Sequence, residues 1–196
     1  MTVHAFVRNA EAEKEIDLFP ELTTNGRLQV EQLQRRFTLL GPAHGSPNLV
    51  ITSPAECAIR TACPSWVIGD EHVKVLPILY PFGTSQWRNM DHLFEAASLD
   101  AKATLRSYLK LDRFGILTRW AHLSRQAILF ACHQARVPED GAVVRVVCHN
   151  ILTSMLAIDF LGSRGPKERE RILDLQLGHA HCILLRDDGA IEIIEP

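Results

Sequence analysis

"HAFVRNAEAE", residues 4–13, starts as a short apolar run and turns abruptly polar. A strand covered on both faces of a sheet reads as such a run. In open α/β sheets ligands gather at the carboxyl ends of the strands. Arg8 and Asn9, followed by Glu11 and Glu13, therefore stand where such a strand presents its chemistry. Three further runs, "NLVIT" (48–52), "VKVLPIL" (73–79) and "VVRVVC" (143–148), are short and rich in β-branched residues. They predict central strands of a parallel sheet.

Helical patterns lie between these runs. "LTTNGRLQVEQLQRRFTLL" (22–40) spaces Leu28, Leu33 and Phe37 among charged positions, and "SPAECAIRTAC" (53–63) offers Ser53 as a cap with Pro54 in the first turn. Strand followed by helix, repeated, predicts βαβ crossovers. The carboxy end differs, because "HCILLRDDGAIEIIE" (181–195) sets Asp187-Asp188-Gly189 between two apolar runs, a hairpin signal. From Gln86 to about Val137 the pattern is helical with a break near Asp112 and Gly115, either a lid or a packing layer. The expected fold class is α/β, a three-layer αβα sandwich. It has a mostly parallel central sheet, an antiparallel edge from the C-terminal hairpin and a helical insertion over about 86–137, all in one domain spanning 1–196.

With 196 residues, 46% hydrophobic and 22% charged, the chain suits a soluble globular domain with a substantial core. The net charge of -2 supplies no basic field for nucleic acid. Basic residues do concentrate in "GSRGPKERERI" (162–172), but acids alternate with them, as in a solvated loop and helix start. No apolar run reaches the length of a membrane span and no secretory signal opens the chain, so a cytoplasmic location is the default expectation. Cys57, Cys63, Cys132, Cys148 and Cys182 are scattered without a CxxC pair and are expected to be reduced thiols.

Five segments, in order, carry a resemblance. They are "AFVRNAEAE" (5–13), "LTTNGRLQVEQL" (22–33), "PNLVITSPAECAIRTA" (47–62), "VVRVVCHNILTSMLA" (143–157) and "LQLGHAHCILLRDDGAIEII" (175–194). The chain resembles the histidine phosphatase superfamily, whose smaller members are phosphoglycerate mutase-like. The resemblance implies a phosphate pocket in which an imidazole attacks phosphorus while arginines and a second histidine stabilise the transferring group. Arg8 matches the first arginine and His149 the second histidine. Asn9 stands where the nucleophilic histidine is expected, and a carboxamide has no basic lone pair with which to form a phosphoenzyme. Ala10 replaces a glycine, Cys57 an arginine, and Asn150 a glycine. Arg60, one turn beyond Cys57, is a partial replacement for the lost guanidinium or a surface residue. The general acid is unassigned, Asp91 and Glu95 being the nearby acids.

Other chemistries fit less well. No cysteine has an arginine at the spacing of a cysteine phosphatase loop, and Cys57 reads as a buried, inert thiol. "GHAHC" (178–182) brings His179, His181 and Cys182 together, but in a strand His179 and His181 share a face that Cys182 leaves, so no metal is expected. No serine elbow, phosphate loop or dinucleotide turn is present, and no cofactor is expected. His4, His44, His72, His92, His122 and His133 carry no recognisable spacing; His122 and His133 read as packing or surface residues of helices.

These departures imply a pseudophosphatase, a protein of this superfamily that has lost phosphatase or mutase catalysis. Its remaining pocket, with Arg8, Asn9, His149 and Arg60 as phosphate-binding positions, would take a phosphorylated or other anionic small molecule, or a protein partner. One alternative is a weak or altered phosphomonoester hydrolase using His149 as nucleophile. Another is a purely structural interaction protein that uses the helical insertion as its contact face. The sequence sets no oligomeric state.

Overall fold

The computed structural model describes residues 2–13, 20–45, 47–62, 72–80 and 104–196. Within these, β1 (Val3–Arg8), β2 (Leu49–Thr52), β3 (Val73–Val75), β4 (Val143–Cys148), β5 (Cys182–Leu185) and β6 (Ile191–Ile194) form one sheet in the order β3-β2-β4-β1-β5-β6. The pairs β2–β3, β2–β4 and β1–β4 are parallel, while β1–β5 and β5–β6 are antiparallel. The sheet is thus mostly parallel with an antiparallel edge, and the Asp187-Asp188-Gly189 hairpin forms that edge, Gly189 supplying φ +85°.

The apolar strands alternate between two cores. Phe6, Val144, Val146 and Ile183 face one layer, built by α4 (Leu105–Leu111), α5 (Ile116–Gln134), α6 (Asn150–Leu161) and α7 (Pro166–Asp174). Ala5, Val7, Val147 and Leu184 face the other, built by α1 (Thr24–Leu39) and α3 (Glu56–Ala62), with the short α2 (Pro42–Gly45) packed at its end. Both faces being covered is why these strands read as continuous apolar runs. α6 lies against the sheet and beneath α5, so Leu152, Leu156 and Leu161 are fully buried and its sequence is apolar nearly all round.

α1 follows from local signals. The Thr23 hydroxyl accepts the Gly26 amide at 2.9 Å, a capping bond, and Gly26, Val30, Leu33 and Phe37 form the buried stripe at 4-3-4 spacing. Leu28, read from the sequence as part of that stripe, falls between its turns and is 51% exposed. Ser53 is not the cap of α3. The helix starts at Glu56, and the Ser53 hydroxyl instead accepts the Ala55 amide at 3.2 Å in the turn before it. "VKVLPIL" is also shorter than expected and lies at the edge: β3 stops at Val75, and Pro77, which lacks an amide hydrogen, opens a 3₁₀ turn over Pro77–Leu79.

The predicted break near Asp112 and Gly115 is where α4 ends and α5 begins. Asp112 accepts the Ile116 and Leu117 amides with its two carboxylate oxygens, each at 2.8 Å, and so caps α5. The described part of the expected insertion is a packing layer: Ile116, Leu117, Trp120 and Ile128 are buried, and the Trp120 indole donates to the Ile78 carbonyl at 2.6 Å. The part from 86 to 103 lies outside the described residues. α4 is tied to α7 by Arg106, which bonds Asp174 through two nitrogens (2.7 and 3.0 Å) and Glu170 at 2.7 Å. Among the described residues no helix is long and apolar enough to cross a membrane.

Gly26 decides how the chain after β1 packs on α1. A Cβ there would stand 2.0 Å from the Glu11 carbonyl oxygen, a backbone atom that cannot swing aside. Gly26→Ala is therefore expected to cost about 2–3 kcal/mol, at the upper end of overpacking. Urea unfolding reads it as a lowered midpoint; an unchanged midpoint would mean that the segment after β1 yields freely.

Candidate functional site

The register of the sheet assembles the site. Arg8 pairs with Cys148, so Asn9 and His149 leave the parallel strands β1 and β4 side by side, and the Asn9 amide donates to the Cys148 carbonyl at 2.9 Å. Ser53 leaves β2 on the other side of β4, its amide donating to the Val147 carbonyl at 3.0 Å. The chain passes from β1 to one layer and from β4 to the opposite layer, and such a reversal of winding opens a crevice at the strand ends.

Within this row the described structure brings Asn9, Cys57, Ser53 and His149 together. Asn9 is 8% exposed, and its carboxamide NH2 donates to the Ala10 carbonyl at 3.0 Å and to Cys57 Sγ at 3.5 Å. The two positions at which the sequence departs most from the resemblance are in contact. Burial pushes the Cys57 thiol up to about 11, so it holds its proton at neutral pH and is not a thiolate nucleophile. The loop beyond is pinned to the layer below: the Ala10 amide donates to Thr61 Oγ1 at 2.9 Å, and the Glu11 amide to Gln29 Oε1 at 3.0 Å.

His149 Nε2 lies 3.2 Å from Ser53 Oγ, and its ring meets the Tyr80 ring at 5.0 Å between centroids. Burial, and secondarily the Arg8 guanidinium, lower the imidazole to about 4, so it is neutral at pH 7.

Arg8 turns the other way. Its guanidinium donates to the Leu177 carbonyl and to His179 Nε2, the latter at 3.3 Å. His179 Nδ1 lies 3.4 Å from the Asn9 carbonyl oxygen. Arginine has only donors and a carbonyl only accepts, so Nδ1 carries the hydrogen and Nε2 the lone pair. His179 thus braces Arg8 against the end of β1. Among the described residues, two of the five guanidinium N–H groups are engaged in these bonds.

Arg60 is placed elsewhere. It is exposed, pairs with Glu56 at 2.6 Å and lines a separate cleft with Glu21, Arg27 and Glu31. Asp91 and Glu95 lie outside the described residues. His179 and His181 do not share a strand face, since β5 begins at Cys182 and Ala180 adopts φ +57° between them. Among the described residues no group of three or more metal-ligating side chains is assembled. The sequence reading weighed His179 only as a metal ligand and Ser53 only as a helix cap, and it passed over Gln29. The strand reading of "GHAHC" hid the part of His179, whose partner Arg8 lies at the other end of the chain.

No protein-family model matches the sequence, and no curated protein matches it. Solved structures do. A phosphoserine phosphatase variant from Entamoeba histolytica in complex with phosphoserine superposes with a TM-score of 0.57 at 21% identity, covering 98% of this chain and 95% of that one. A mycobacterial glucosyl-3-phosphoglycerate phosphatase in complex with VO3 gives 0.57 at 16% identity, covering 99% and 96%. The protein histidine phosphatase SixA in complex with tungstate gives 0.52 at 16%, covering 98% and 94%. The chain has the fold of the histidine phosphatase superfamily.

His4, between the rings of Phe6 and Phe160, is lowered to about 4 by burial and then by Arg164 and Arg125. Both His4 and His149 are therefore neutral in the fold down to about pH 4, while the unfolded chain protonates them near 6.5. Between those values the unfolded state binds more protons, so stability is full above pH 6.5 and falls as the pH drops toward 4. Each imidazole contributes a slope of up to about 1.4 kcal/mol per pH unit. Urea midpoints measured from pH 7 to 4 are expected to show this decline and His149→Gln to flatten it; an equal slope in the variant would mean that His149 titrates normally.

Proposed function

We propose that this is a histidine phosphatase-fold protein that no longer transfers phosphoryl groups through a histidine at the end of β1. It retains an anion pocket there for a phosphorylated or similarly charged ligand. The observation that carries the reading is Asn9: its carboxamide NH2 is turned to Cys57 and the Ala10 carbonyl, and no imidazole follows Arg8. A carboxamide nitrogen shares its lone pair with the carbonyl and does not attack phosphorus. What remains suits binding: Arg8 braced by Leu177 and His179, His149 beside it, and the first turn of α6 opening directly after His149.

His149 is a poor substitute nucleophile. Its Nε2 is occupied by Ser53, and a side chain fixed as a stabiliser does not stand in line for attack. The neighbours act on or bind phosphorylated compounds and oxoanions by their names, and the same chemistry is assigned here to binding alone.

The purified wild-type protein is expected to hydrolyse an aryl phosphate no faster than His149→Ala. Turnover that disappears in that variant would replace this reading with a phosphohydrolase using His149. Inorganic phosphate or vanadate is expected to raise the melting temperature, with stabilisation of about 2.7 kcal/mol at a hundred times the dissociation constant, and Arg8→Ala to abolish the shift. No shift from either anion in the wild type would refute the anion pocket.

A further inference from the structure

Of the eight large apolar side chains exposed among the described residues, five lie between Leu111 and Phe130. They are Leu111 at the end of α4, Phe114 at the corner before α5, and Leu123, Leu129 and Phe130 along α5. Phe114 is 83% exposed and Phe130 61%. Apolar residues scattered singly over a surface are ordinary, whereas five gathered on one pair of consecutive helices mark an interaction face.

The two sides of α5 separate this face from the core. Leu117, Trp120, Ala121, Ile128 and Ala131 fill the inner side. Arg119, Leu123, Gln126 and Phe130 recur at 4-3-4 spacing on the outer side, all exposed, so Leu123 and Phe130 stand two turns apart on one line with a cation ahead of them.

The charge of the face has one sign. From Lys110 to the end of α5 at Gln134 the cations are Lys110, Arg113, Arg119 and Arg125, and the single acid is Asp112, in a chain of net charge -2. Asp112 is used within the fold, its two oxygens accepting the Ile116 and Leu117 amides. Arg125 faces Asp159 of α6 at 3.9 Å, and Lys110 acts on Asp174 of α7. Arg113 and Arg119 form no ion pair among the described residues.

This charge selects the occupant. A second copy of the chain, paired about a two-fold axis, would set Arg113 and Arg119 against a face with the same cations and no acid to meet them. An anionic bilayer supplies the missing charge, and its headgroup region accepts protruding rings at any spacing, without the matching recesses that a protein partner would need.

We propose that the α4–α5 corner and the outer side of α5 dock on an anionic phospholipid surface. Phe114, Leu123 and Phe130 enter the boundary between headgroups and acyl chains, while Arg113 and Arg119 meet the lipid phosphates and carboxylates. The chain lies on such a surface without crossing it. Binding of this kind joins a few inserted apolar side chains to a few cations, so it is reversible and sensitive to salt.

Co-sedimentation of the purified full chain with vesicles tests the assignment. The chain is expected to pellet with vesicles of equal parts phosphatidylcholine and phosphatidylserine, to stay in solution with phosphatidylcholine alone, and to be released by added salt. The double variant Phe114→Ser, Phe130→Ser is expected to bind about ten-fold more weakly, and Arg113→Glu, Arg119→Glu to lose binding altogether. All four side chains are exposed, so both variants are expected to keep the urea midpoint of the wild type. No pelleting with the mixed vesicles, equal pelleting with phosphatidylcholine alone, or variants that bind as the wild type does overturn the proposal. A wild-type dimer that the phenylalanine variant turns into a monomer, read by sedimentation velocity, also overturns it, because the face would then belong to a second copy.

Discussion

The parallel pairing of β1 with β4, with Arg8 opposite Cys148, is the constraint from which the rest of the site follows. A parallel ladder brings two carboxyl ends to the same edge, and joining them takes a long crossover on either face. The register then decides that Asn9 and His149 emerge as neighbours, that Ser53 flanks them from β2 and that the turn before β5 closes on Arg8. A slip of one residue would send Phe6 and Val146 to the wrong core and dissolve the row of site residues together with the packing. Stability and site geometry therefore rest on the same hydrogen bonds.

Electrostatically the site has two halves. Asn9, Cys57, Ser53 and His149 are themselves neutral: burial keeps the thiol protonated and the imidazole unprotonated. Arg8 brings a fixed positive charge, and it is turned toward the α6 side, where Leu177 and His179 hold it. A lone guanidinium over low-dielectric walls attracts an anion over a useful range, whereas two cations together would have repelled one another in its absence.

Much of this was legible in the chain. Short β-branched runs gave the strands because both sheet faces are covered, and Asp187-Asp188-Gly189 gave the hairpin because few residues adopt its backbone angles. The arrest of α4 at Asp112 was equally visible. What misled was local. Leu28 looked like core because it is apolar, yet the helical period runs through Gly26 and Val30 instead. Ser53-Pro54 looked like a helix cap, but the serine is used in a turn and against His149. Arg8, Asn9, Cys57 and His149 were readable through a pattern spread over the chain. His179 was not, because its part depends on a contact 171 residues distant in sequence.

The contact between Asn9 and Cys57 also ties the two positions to one another. An imidazole placed at position 9 alone would face a thiol. An arginine placed at position 57 alone would bury a fixed charge against a carboxamide. Residues in contact do not add independently, so a substitution at either position changes what the other tolerates.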